Sequence, residues 1–104
     1  MYRGTTPTNI INVDLDLTGM TIFVTYAQNG KILFEKTNDV ITVESDKLLV
    51  PLTQEETLSL DANRRGDPIY VQIRAIDALG NAIASNIMTT SAEGILKDGV
   101  IAYA

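Results

Sequence analysis

The pair Asn29-Gly30 sits between two stretches in which apolar and polar residues alternate, and no other feature constrains this chain as strongly. Both residues accept the positive φ of a type I′ turn, whose twist matches that of antiparallel strands. Met20–Gln28 and Lys31–Lys36 are therefore expected to form a hairpin. In the first of these strands Ile22, Val24 and Tyr26 share one face, and Thr21, Phe23, Thr25 and Ala27 the other.

The same period of two recurs along the chain. Asn9–Leu17 places Ile11, Val13, Leu15 and Leu17 on one side and Asn12, Asp14 and Asp16 on the other, as a half-buried strand does. Val40–Val43 and Leu48–Leu52 read as a second hairpin, with its turn near Glu44–Lys47. Ile69–Ile76 is the clearest core strand, with Ile69, Val71, Ile73 and Ala75 inward and Tyr70, Gln72 and Arg74 outward. The strand Ala82–Thr90 changes phase near Ser85-Asn86, which predicts a bulge. One segment breaks the pattern. Thr53 with Glu56 three residues on fits a capping box, so a short helix is expected over about residues 53–60, with Leu58 and Leu60 plugging one end of the core.

These signals describe one all-β domain over residues 1–104: an antiparallel β-sandwich of about seven strands with one short helix. Residues 1–7 and 92–104 are expected to be loosely held terminal segments, with Ile95–Ile101 adding an edge strand or lying across the sandwich.

Composition removes several functional classes. A formal net charge of −5 disfavours sequence-independent nucleic-acid binding, which needs a basic face, and docking on anionic lipid. With no histidine and no cysteine, the commonest general base, metal ligand and thiolate nucleophile are missing. No run approaches the roughly 18 apolar residues of a membrane span. The first residues carry no apolar core of a signal peptide, so the expected location is the cytoplasm of the producing cell, or a particle assembled there.

The residues that could carry chemistry each have a plainer reading. Asp14 and Asp16 have the spacing of a carboxylate pair, but they fall on the solvent side of an alternating strand and are better read as a solvated face. Glu55-Glu56 suits helix capping, since neighbours on a helix do not face each other. Arg65-Gly66-Asp67 matches an integrin-binding tripeptide, and its plainer reading is a polar turn. Serines and threonines are plentiful, yet no base accompanies them and no nucleophile elbow is present. No catalytic, cofactor-binding or metal-binding residue is assigned, and no cofactor is expected. What remains is a set of outward apolar side chains, Phe23, Leu33 and Tyr70, as the candidate interaction surface.

The stretches Arg3–Thr8, Gln28–Lys31, Leu52–Thr57, Ala84–Ile87 and Ile95–Val100 are spread over nearly the whole chain. Together they resemble small prophage-encoded tail-module proteins related to the N-terminal domain of phage baseplate upper proteins. The resemblance implies an immunoglobulin-like sandwich and a non-enzymatic role in tail or baseplate assembly. Its implied partners are other phage structural proteins or further copies of the chain, not nucleic acid or membrane. Because the sequence stops after this domain, an accessory or connector role is expected rather than host adsorption. The alternative reading is a small carbohydrate-binding type of sandwich, which would need an aromatic platform from a chain with 6% aromatic residues and no tryptophan.

Overall fold

In the computed structural model, which describes residues 1–44, 46–61 and 68–102, antiparallel strands form two sheets around a shared core, with one short helix. The strands are β1 (Thr8–Asn12), β2 (Thr21–Gln28), β3 (Lys31–Thr37), β4 (Thr42–Glu44), β5 (Lys47–Pro51), β6 (Ile69–Ile76), β7 (Ala82–Ala84) and β8 (Met88–Thr90). The helix α1 (Gln54–Leu58) lies between β5 and β6. The smaller sheet runs β1-β5-β4. The larger runs β3-β2-β6-β7, and β8 also pairs with β6. Eight strands thus stand among the described residues where about seven were expected, because Ala82–Thr90 divides into β7 and β8. Arg65-Gly66-Asp67 lies outside the described residues.

Alternation decides which residues are buried. On β2, Ile22, Val24, Tyr26 and Gln28 are buried; on β6, Ile69, Val71, Ile73 and Ala75 are. From the smaller sheet Ile11, Leu48 and Val50 meet them. A sandwich of this kind needs side chains from two inner faces to interdigitate across about 10 Å. The β2–β3 turn is built as the sequence predicts, with positive φ at Asn29 (56°) and Gly30 (72°). The capping box of α1 is complete in both directions. The Glu56 N–H donates to Thr53 Oγ1 (3.1 Å), and the Thr53 N–H donates to Glu56 Oε1 (2.9 Å). Leu60 is fully buried and Leu58 half-buried at this end of the core.

Two expectations are revised and a third is narrowed. The first strand stops at Asn12 instead of Leu17. A strand persists only while a partner supplies hydrogen bonds, and β5 begins at Lys47, opposite Asn12. One further bond, from the Val13 N–H to the Asp46 carbonyl (2.8 Å), ends the ladder. Leu17 still reaches the core, but Leu15 is left 57% exposed. Second, the terminal segments are not loose where they meet. Tyr2 bridges Glu93, the Met1 ammonium donates to the Ser91 carbonyl (3.0 Å), and Ala92 between them is buried. Arg3 donates to the Leu58 carbonyl (2.9 Å), which the end of α1 leaves without an intrahelical partner, to the Leu60 carbonyl (2.6 Å) just beyond the helix, and to Asp98 (2.6 Å). Of the two expectations for Ile95–Ile101, the edge strand is not formed; hydrogen bonds between Ile101 and the Gln54 side chain tie the segment to α1 instead.

A buried ion pair ties β3 to α1: Lys36 Nζ lies 2.6 Å from Glu56 Oε1, with the Lys36 side chain only 7% exposed. Burial alone would raise the Glu56 pKa. Hydrogen bonds from Lys36 and Thr53, together with the lysine charge, outweigh it and hold the carboxyl below its ordinary value of 4.5. A carboxyl lowered in the folded state stabilises the fold above its unfolded pKa and loses that contribution as pH falls through the folded one. The stability gap between wild type and Glu56→Gln, read by urea unfolding, should therefore narrow as pH drops below 4.5. A gap constant from pH 7 to pH 3 would contradict this account of the pair.

Candidate interaction surfaces

The outer face of the larger sheet is the first surface. Register places Phe23 between Thr37 and Arg74, and Tyr70 beside Ala27 and Thr89. Phe23 and Tyr70 share this face, as expected from their phase. They do not form one apolar patch. Between their rows runs Glu35–Thr25–Gln72, and the Thr25 hydroxyl donates to the Glu35 carboxylate (3.0 Å).

Leu33 does not belong to this face. The pairing of β2 with β3 slips between Tyr26 and Ala27: Phe34 opposes Tyr26, while Ile32 opposes Ala27. One residue is left over, and it is Leu33, which packs partly buried against the core. Ile32, paired with Ala27 in the regular register next to the Asn29-Gly30 turn, points outward instead, 69% exposed. The bulge beyond it brings Phe34 over Tyr26, ring centroids 4.7 Å apart.

The second surface is one that alternation does not reveal. Along the side where β1 faces β7 and β8, two shallow depressions of about 460 and 540 Å³ share the floor residues Ile11 and Met88. The first is lined by Leu15, Leu17, Ile73 and Ile83 among others; the second reaches Tyr26 and Val71. Leu15 and Ile83 at its rim are 57% and 37% exposed, and Ile87, beside the lining residues Asn86 and Met88, is 61% exposed. Charge is sparse among these side chains: Asp14 is the one charged residue of either lining.

Local chemistry explains the break in the wall. Arg74 opposes Ala84, yet Val71 opposes Met88, so β7 and β8 carry one more residue than the stretch of β6 they face. Ser85 absorbs it. Its N–H donates to the Ile73 carbonyl (2.8 Å), and its hydroxyl replaces the missing backbone acceptor by taking the Ile73 N–H (3.0 Å). The phase change near Ser85-Asn86 was the sequence signal for this feature.

Of the two acidic pairs, one is exposed and the other serves the first turn of α1. Asp14 and Asp16 are exposed beyond the end of β1. Hydrogen bonds from the Thr18 side chain and N–H hold Asp16 below the usual carboxylate range. Glu56 is engaged by Lys36 and Thr53. Among the described residues no group of three or more acidic side chains is placed to hold a metal ion, and no helix is long and apolar enough to cross a membrane. Comparison of the chain with protein-family profiles, with curated proteins and with solved structures returns no match.

Ser85→Ala should cost about 1–3 kcal/mol, because it strands the Ile73 N–H beside the core. Urea unfolding measures the loss. Hydrogen exchange at the Ile73 amide should quicken with it, and unchanged exchange there would show that the hydroxyl is dispensable to the bulge.

Proposed function

We propose that this chain is a non-enzymatic structural module of prophage origin, a tail or baseplate-type component with an immunoglobulin-like sandwich that works through protein–protein contacts. One observation carries the interaction reading. On a chain with 13 acidic and 8 basic residues, the open side between β1 and β7–β8 is lined by apolar and neutral polar groups with a single charge. Loss of charge at the centre of a patch, more than raw hydrophobicity, marks protein interfaces. The phage assignment rests on the sequence resemblance.

The outer-face residues Phe23 and Tyr70 are secondary candidates, since a polar row separates them. A ligand-binding sandwich is the second reading. The depressions fall within the roughly 300–1,000 Å³ of small-molecule sites. Tyr26 is their one aromatic lining residue, and it is fully buried, which is poor support for a carbohydrate platform.

Antibody raised against the chain should label purified phage particles or their tail-assembly intermediates from the producing strain. Its absence from both would overturn the phage reading. Selective binding on a glycan array would promote the ligand-binding one.

A further inference from the structure

The Asn29-Gly30 turn carries chemistry as well as shape. The side-chain amide of an asparagine is open to attack by the backbone nitrogen of the next residue, and a side chain on that residue obstructs the approach. Of the seven asparagines in the chain, only Asn29 precedes a glycine; the others precede Ile10, Val13, Asp39, Arg64, Ala82 and Ile87. The fold leaves the pair accessible. Both residues are exposed, and the space around Gly30 is open. The Gly30 N–H donates to no group among the described residues, so the attacking nitrogen is not held in a ladder. Asn38 shows the opposite case: its Oδ1 accepts from the Ile22 N–H (2.6 Å) and its Nδ2 donates to the Met20 carbonyl (3.0 Å).

The neighbour of the Asn29 amide gives its loss a structural consequence. Asn29 Nδ2 donates to Asp61 Oδ2 (3.0 Å). An ionised carboxylate only accepts, so the amide nitrogen is the atom that faces it. The backbone of Asp61 is fixed beside the turn by Gln28. That buried side chain donates to the Asp61 carbonyl (3.1 Å) and accepts from the Asp61 N–H (2.8 Å). These three bonds join the end of the β2–β3 hairpin to the segment that follows α1.

We propose that Asn29-Gly30 is a site of spontaneous deamidation, and that Asp61 turns the change into release of the hairpin end from the segment after α1. The Gly30 nitrogen gives its proton to hydroxide and bonds to Asn29 Cγ. The Cγ–Nδ2 bond breaks, and Nδ2 takes a proton from water and leaves as ammonia. Water then opens the five-membered imide, at Cγ to give aspartate or at the main-chain carbonyl to give isoaspartate; nothing is oxidised or reduced. Either product removes the Nδ2 donor and adds a carboxylate beside that of Asp61, so an attraction becomes a repulsion between like charges. Isoaspartate also adds a carbon to the main chain of a two-residue loop whose twist has to match its strands.

The intact chain is held in mildly alkaline buffer and followed by peptide mass mapping with fragmentation. Asn29 should gain one mass unit at least fivefold faster than any other asparagine, with part of the product methylated by an isoaspartyl methyltransferase. Persistence of Asn29 alongside the other asparagines would overturn the proposal. Asn29→Asp, which carries the new charge without the reaction, should lower the urea midpoint at neutral pH and speed hydrogen exchange at the Asp61 amide at least fivefold. Asp61→Asn in that background should restore both, since donor and acceptor are exchanged and the bond is remade. An Asn29→Asp chain as stable and as slow to exchange as wild type, or a loss that Asp61→Asn does not relieve, would overturn the part given to Asp61.

Discussion

The structure depends on the hydroxyl of Tyr26. Its ring is fully buried in the larger sheet and stacked on Phe34, and its oxygen accepts a hydrogen bond from the Asn9 amide (2.7 Å) on the facing sheet. A buried phenol without a partner would cost a large part of what burying the ring contributes. The bond therefore fixes more than a contact. Asn9 must point inward, so Ile11 does too, and Ile10 must point out; a slip of one residue in β1 would reverse all three. The position of the smaller sheet over the larger follows from this pairing, and with it the place where the side between β1 and β7–β8 opens.

Two polar assemblies hold the ends of the molecule in the same way. Lys36 and Glu56 join β3 to the helix under the cover of the core. Arg3 collects two carbonyls near the end of α1 together with Asp98 from the C-terminal segment. Each supplies partners to groups that the strands and helix leave unmet, and each joins segments far apart in sequence. Such networks favour one arrangement strongly because a half-satisfied version is costly. A helix of five residues could not persist alone; here it is held by its cap, by Lys36 and by Arg3.

Local signals were legible where the physics is local. The alternation of β2 and β6, the positive φ of Asn29 and Gly30, and the reciprocal bonds of Thr53 and Glu56 all depend on residues within a few positions of each other. The phase break at Ser85 was readable for the same reason. Leu33 was misplaced because the face of a β3 residue is set by its register across the Asn29-Gly30 turn and not by its own strand: pairing of Ile32 with the outward Ala27 leaves Leu33 to the core side, and the bulge then lets Phe34 oppose Tyr26 as well. Leu15 was misplaced because alternation continues past Asn12 while the partner strand does not. The open side was invisible for a deeper reason. It arises from a difference in strand number between two sheets, and sheet membership is not encoded in any single segment.

The free edges of the two sheets are treated unequally. Soluble proteins guard edges with charge, bulges or brevity to prevent pairing between molecules. β3 carries Lys31, Glu35 and Lys36 and is bulged at Leu33. β4 has three residues and ends at Glu44, which pairs with Lys47. The β7–β8 edge is broken at Ser85. β1 has none of these devices: Thr-Asn-Ile-Ile-Asn is uncharged, contains no proline, and keeps an unbroken register with β5. An edge this bare, beside the open side that Ile83 lines, is the one place on the two sheets where pairing with another strand meets no such obstacle.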